Sequence, residues 1–291
     1  MVKFRIYGCE GFGSGNSSSY VIETNKELIF LDAGIGFKNA SKIIAEKPDK
    51  QIYLLLSHAH LDHIEGLPVT GVSFDPKKSI KLIGPQGITE DLKQLFSKNI
   101  LPMDFEQLVA YKEIQEIADE QEFDLTEGVN IVPFAGYHPR KGNGGSLGYK
   151  FKINEGEKTK IVTYATDFEF DFTLRDKDGK LLSAPEKIED SEKLKSGYQA
   201  FISDSDLLVA DAQFTLEEYL GGKPDVRGWG HSYIEQIVEL AKNINIKKLC
   251  LTHHNSNRKP DFFERYTEKL GQNKGNIDEL FFAKKDATIY V

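Results

Sequence analysis

The chain has 291 residues, 40% of them hydrophobic, enough to bury a sizeable core in one or two domains. Its formal net charge of −8 argues against a broad electrostatic grip on extended nucleic acid or an anionic membrane, since both need clustered Lys and Arg. Only two cysteines are present, Cys9 and Cys250, too few for a disulfide scaffold, and the apolar surroundings of Cys250 mark it as a core residue.

The start, MVKFRIYGCEGFGSG, lacks the sustained apolar stretch of a signal peptide, and no later run reaches the roughly 18 residues of a spanning helix. A cytoplasmic protein without membrane contact is expected. In chain order, ELIFLD (27–32), IYLLLS (52–57), VNIVPF (129–134), KIVTYATD (160–167), DLLVAD (206–211) and KKLCLTHH (247–254) read as strands, most of them buried on both faces. Helices are expected near 38–46, 86–98, 106–118, 232–243 and 260–270, the second presenting Ile88, Leu92, Leu95 and Phe96 on one face. Charge and broken patterning make about 169–200 a surface insertion on a single domain spanning 1–291.

The densest chemical signal is His58-Ala59-His60-Leu61-Asp62-His63, which follows the buried run IYLLLS and packs four potential ligands into six positions. Three imidazoles and a carboxylate suit zinc or a similar borderline metal. The remaining four of the seven histidines also lie at or near element boundaries: His138 after VNIVPF, His231 ahead of a helix, and His253 and His254 at a strand end. Asp32 and Asp167 end apolar runs in the same way, and the loops at one end of an α/β sheet are where such folds gather their sites. One tetrahedral ion leaves several of these groups unused. Two ions about 3.5–4 Å apart, sharing a carboxylate and a hydroxide, fit better, and Asp167 is the candidate shared carboxylate.

HAHLDH, His138, Asp167 and His253, in that order and each after an apolar strand, resemble the metallo-β-lactamase superfamily over nearly the whole chain. The resemblance implies an α+β fold, a four-layer αββα sandwich. It also implies that His58, His60 and His138 hold a first metal and Asp62, His63 and His253 a second, with Asp167 bridging. Asp62 would serve in catalysis as well, and Asp32 would orient the cluster by hydrogen bonds. Zinc is the leading expectation for the two divalent ions, with manganese or iron as alternatives.

The branch is suggested by Gly228-Trp229-Gly230-His231-Ser232, similar to a segment of the phosphodiesterase branch, which holds the tRNA 3′-processing endonucleases and small cyclic-phosphate phosphodiesterases. Ser232 and Glu235 have capping-box spacing, so a helix is expected to start there, placing His231 beside an anion-friendly helix terminus. His231 would then stabilise phosphoryl charge or protonate the leaving alkoxide. Arg140 and Lys141 could meet a phosphate, Trp229 could stack on a base or line the pocket, and Ser232 is a further candidate substrate contact.

With no Gly- and basic-rich extension to hold tRNA, a small and even cyclic phosphodiester is the expected substrate, cleaved through a metal-bridging hydroxide. A lactone or thioester hydrolase of the same fold is the alternative. A non-catalytic metal-binding interaction protein is a second, with the charged stretch as a partner-binding or homodimer-forming arm. The chain departs from its relatives after the paired histidines, where Asn255-Ser256 replaces the usual Asp-Pro, ahead of Arg258 and Asp261.

Overall fold

The computed structural model describes residues 1–119, 121–138, 145–171, 174–175, 181–182 and 186–291. The chain divides into two compact units, Met1–Gln121 with Lys284–Val291, and Glu122–Ala283. All six apolar runs expected as strands form strands.

The first unit carries strands β1 (Lys3–Gly8), β2 (Ser19–Glu23), β3 (Glu27–Leu31), β4 (Gln51–Leu55), β5 (Ile80–Pro85) and β6 (Tyr111–Ile117), joined by the last strand of the chain, Thr288–Tyr290. They form one seven-stranded sheet, with β1, β2 and β3 antiparallel to one another and β3 to β6 parallel. Helices α1 (Phe37–Ala40), α2 (Ile43–Glu46), α3 (Leu61–Ile64) and α4 (Ile88–Leu95) connect them. Phe37, Ile44, Leu92 and Phe96 pack with Val21, Phe30, Leu54 and Leu82 in one apolar cluster, so the helices are held by burial on one face of the sheet.

The expected helix at 106–118 is not formed. Its apolar residues Tyr111, Ile114 and Ile117 fall three apart, a helical spacing, yet the segment pairs in parallel with β5. The strand also serves α4, because the Glu116 carboxylate accepts the backbone N–H groups of Gly87 at 2.9 Å and Thr89 at 3.1 Å, where the helix begins.

The second unit contains β7 (Phe123–Thr126), β8 (Val129–Gly136), β9 (Ser146–Glu155), β10 (Lys158–Ala165), a short antiparallel pair β11 (Leu174–Arg175) and β12 (Leu181–Leu182), β13 (Leu207–Asp211), β14 (Lys248–Thr252) and β15 (Glu279–Phe282). Apart from the short pair these make a second seven-stranded sheet, antiparallel from β7 to β10 and parallel through β10, β13, β14 and β15. Its helices are α5 (Glu186–Ile202), α6 (Leu216–Gly221), α7 (Ile234–Ala241) and α8 (Pro260–Gly271).

Parts of the charged stretch contribute to the core. Phe170 is fully buried, and α5 is a 17-residue helix whose Tyr198, Phe201 and Ile202 join the core with Ile234, Ile237 and Leu208. Charge dominates its composition, but the aromatic side chains near its C-terminus decide where it sits. The Tyr198 ring centroid lies 4.7 Å from that of Phe170 and 6.1 Å from that of Phe168, both edge-on contacts. Tyr198→Ala should therefore cost about 3–5 kcal/mol in denaturant unfolding; a loss below about 0.5 kcal/mol would mean that α5 is a solvated arm.

Candidate metal centre

In the first unit, β3 and β4 run parallel and deliver two polar segments from their C-terminal ends. Asp32, the residue after β3, has φ +55° and is fully buried. Its Oδ1 accepts the Ser57 N–H at 2.7 Å; Oδ2 accepts the Ser57 hydroxyl at 2.9 Å and the His63 Nδ1–H at 2.8 Å. Ser57 Oγ, its proton given to Asp32, accepts from His58 Nδ1 at 3.0 Å. Both imidazoles are thus held by Nδ1 and keep the Nε2 lone pair for another purpose. His63 Nε2 lies 3.6 Å from Asp62 Oδ2, and the His58 ring is 4.3 Å from that of His63 and 4.4 Å from that of His60. His58, Asp62 and His63 are buried, whereas His60 is exposed.

In the second unit the parallel register does the equivalent work. Ala165 pairs with Ala210, Ala210 with Leu251 and Asp211 with Thr252, so the three strands end level and Asp167, Asp211 and His253 emerge at one edge. One ligand atom from each of Asp167, Asp211, His231 and His253 lies within 4.8 Å of the others, and all four residues are buried. Asp167 has φ +60° and His253 φ +53°. Left-handed backbone is uncommon for residues with a Cβ, costs roughly 1–3 kcal/mol, and collects at functional sites. Asp167 Oδ1 accepts the Thr166 hydroxyl at 2.6 Å and is 3.6 Å from His253 Nε2; its Oδ2 is 3.8 Å from His138 Nε2 and 4.0 Å from His231 Nε2. His138 donates Nδ1–H to the Gly230 carbonyl at 2.8 Å, and His231 donates Nδ1–H to Asp211 Oδ2 at 2.8 Å. The His231 and His253 rings stack at 5.0 Å with an interplanar angle of 15°.

These donor sets fit divalent metal ions on the chemistry of their atoms. His58, His63 and His138 each spend Nδ1–H on a fixed acceptor, the tautomer whose Nε2 carries the lone pair a metal would take, and carboxylates stand beside them in buried surroundings.

Several expected site residues are placed differently. The Ser232–Glu235 capping box is absent: α7 begins at Ile234 with Tyr233 as its N-cap, the Ser232 hydroxyl donates to the Phe168 carbonyl at 2.7 Å, and the Glu235 carboxylate accepts the Leu216 N–H at 2.9 Å. Ser232 therefore braces the segment after β10, and His231 is paired with a carboxylate where a free helix terminus was expected. Trp229 is 48% exposed. Arg140 and Lys141 lie outside the described residues. His254 donates Nε2–H to the Ala283 carbonyl at 3.2 Å, and burial pushes its imidazole down to about 4, leaving it neutral near pH 7.

Two residues escaped the sequence reading. Asp211 ends DLLVAD as Asp32 ends ELIFLD, so the signal was present and unused. Glu169 is fully buried, and its carboxylate accepts from Tyr219 Oη–H at 2.6 Å, Gly228 N–H at 2.7 Å and Gly230 N–H at 2.8 Å. Burial raises its pKa, opposed by these three donors and the His231 charge. Nothing in the local sequence TDFEF marks it, because its partners lie 50 to 61 positions away.

Known proteins resemble this chain over most of its length. The chloroplastic tRNase Z TRZ2 of Arabidopsis thaliana is 26% identical over 278 residues, covering 88% of this chain and 69% of its own. A ribonuclease Z of Lactococcus lactis subsp. cremoris is 28% identical over 257 residues, 80% of each chain. The structure of unliganded yeast PDE1 matches with a TM-score of 0.69 at 14% identity over 100% of this chain and 99% of that one. The metallo-β-lactamase fold protein YhfI from Bacillus subtilis matches with a TM-score of 0.65 at 17% identity and covers 100% of both chains. Fold and relatives together define a metal-dependent hydrolase of the metallo-β-lactamase superfamily, in its phosphodiesterase branch, with the α+β class expected from the sequence. Within that class, the model of the family described as anti-Pycsar protein Apyc1 matches residues 11–180, more than half of the chain, and the protein belongs to that family. The relatives' names do not support the expectation that extended nucleic acid is an unlikely partner.

Asp32 carries the clearest test of the histidine arrangement. Asp32→Asn should weaken divalent-metal binding about 10- to 100-fold in competition with a chromophoric chelator. Unchanged affinity in a variant with a normal thermal unfolding curve would show that Asp32 does not orient His63 for ligation.

Proposed function

We propose that the protein hydrolyses a small phosphodiester, with cyclic nucleotides as the first class to try, using two divalent ions held by His58, His60, Asp62, His63, His138, Asp167 and His253. The observation that supports a phosphodiester most directly is the buried pair of His231 and Asp211, with Nδ1–H on the carboxylate at 2.8 Å. Such a pair fixes the imidazole tautomer and steadies the ring when it is protonated, so that His231 Nε2 can hold a proton for a leaving alkoxide.

The bound ions would supply positive charge to the phosphoryl oxygens and lower the pKa of a water, with zinc the leading choice and manganese or iron compatible with the same donors. The chain's own task is to place Nε2 atoms and carboxylates and to keep them buried. Trp229, exposed on the turn before His231, would stack on a base in this reading. Arg140 and Lys141, directly after His138 and Pro139, remain the proposed phosphate contacts. Among the described residues, no helix is long and apolar enough to cross a membrane.

The relatives named ribonuclease Z and tRNase Z favour a second reading, in which the same chemistry cleaves RNA. The two readings separate in one experiment. Metal-reconstituted protein should hydrolyse bis(p-nitrophenyl) phosphate, and His231→Ala should reduce turnover about 100-fold or more. A cyclic nucleotide and a tRNA precursor are then compared at equal protein concentration. Efficient turnover of the precursor alone would replace the small-substrate reading, and absence of phosphodiester turnover in protein shown to bind two ions would point to lactones or thioesters.

A further inference from the structure

We propose that Glu169 is a positioning residue for the candidate centre, holding the turn Gly228-Trp229-Gly230 so that His138 keeps its ligating tautomer and His231 its place beside Asp211. The inference rests on the reading of His138 as a metal ligand and His231 as the proton carrier. Glu169 reaches both through the backbone. Gly228 N–H and Gly230 N–H converge on its two carboxylate oxygens, one on each, at 2.7 and 2.8 Å. The intervening Trp229 N–H turns away, to the Val226 carbonyl at 3.1 Å. That geometry requires left-handed backbone at both glycines, φ +81° at Gly228 and +90° at Gly230, which a residue with a Cβ resists.

The residue fixed this way is also the one on which the histidines depend. The Gly230 carbonyl accepts the His138 Nδ1–H, and the next residue in the chain is His231. If Gly230 loses its anchor, its carbonyl can turn, and His138 then has no fixed acceptor to select the tautomer with Nε2 unprotonated. Glu169 itself is fixed from two sides: Tyr219 donates to its Oε1, and its backbone N–H is bound to the Tyr137 carbonyl at 2.9 Å, immediately before His138 in sequence.

Three features suggest more than packing. A carboxylate is the one side chain of this size that accepts on both termini, and here each terminus takes a backbone N–H from the same turn. The site is fully buried, where a carboxylate is retained only with donors on it. Trp229, at the apex of the turn, is exposed, so the clamp also fixes the direction in which that ring is presented.

The test is Glu169→Gln in the full chain. An amide has one acceptor oxygen, so either Gly228 or Gly230 must face an N–H group. Metal affinity by chelator competition should fall about 10- to 100-fold, and kcat on bis(p-nitrophenyl) phosphate should fall with it while KM stays near the parent value. The ¹⁵N resonances of the His138 ring should lose the pattern of a single Nδ1–H tautomer. Tyr219→Phe removes one donor from the same carboxylate but leaves both backbone bonds, and it is expected to keep metal affinity and the His138 pattern. If Glu169→Gln does not fold, Glu169→Asp, charged but too short to span both N–H groups, should show the same metal and resonance changes. Retention of metal affinity and of the His138 tautomer in a folded Glu169 variant would overturn the proposal. Lack of phosphodiesterase turnover in the parent protein would instead refute the substrate reading, leaving the metal and resonance measurements to decide on Glu169.

Discussion

The candidate centre depends on one interaction used repeatedly, an imidazole Nδ1–H given to an acceptor that cannot move. His63 gives it to Asp32, His58 to Ser57, His138 to the Gly230 carbonyl and His231 to Asp211. A histidine free to flip or change tautomer offers a metal either nitrogen, and affinity suffers through the lost orientation. Holding Nδ1 removes that freedom before any ion arrives. Three of the acceptors, Asp32, Ser57 and Asp211, sit where parallel strands end, so the sheet registers set the positions of their imidazoles, while the Gly230 carbonyl comes from the loop between α6 and α7. The left-handed backbone at Asp32 in the first unit, and at Asp167 and His253 in the second, is the local cost of turning each segment sharply as it leaves its strand.

Much of this was legible in the sequence because ligand residues and strand ends leave strong marks. HAHLDH follows an apolar run, and Asp32, Asp167 and His253 each close one, so a parallel sheet with chemistry at its C-terminal edge could be expected before any coordinates. What failed did so where two local rules competed with a distant partner. Tyr111, Ile114 and Ile117 have helical spacing, yet the open edge of β5 captured them as a strand. Ser232 and Glu235 have the spacing of a capping box, yet Phe168 and Leu216 took their side chains. In the charged stretch around 169–200, Phe170 and Tyr198 join the apolar cluster although charge dominates the composition around them.

Charge shows the same limit of composition as evidence. A net charge of −8 disfavours a broad cationic surface, and cations in the second unit are partly committed within the protein: Arg258 is bonded to the Glu218 carboxylate, and Lys247 pairs with Asp206. Yet relatives named for RNA cleavage share this architecture, so the overall balance does not settle which phosphodiester is cleaved. Positive charge can be concentrated where ions bind, and a few well-placed side chains there outweigh the mean charge of the surface.

The departure after the paired histidines becomes intelligible in these terms. Asn255-Ser256, where the family resemblance leads one to expect Asp-Pro, directly follows the segment bearing His253. Other anchors hold it. His253 follows β14 directly, in register with β13 and its terminal Asp211, and His254 is buried with its Nε2–H on the Ala283 carbonyl. Asn255 turns inward on its own loop, its side-chain oxygen accepting the Asn257 N–H at 2.9 Å, and the Arg258 guanidinium stacks 4.2 Å from the centre of the Phe262 ring. A strand on one side and a packed imidazole and stacked arginine on the other therefore hold His253 in place.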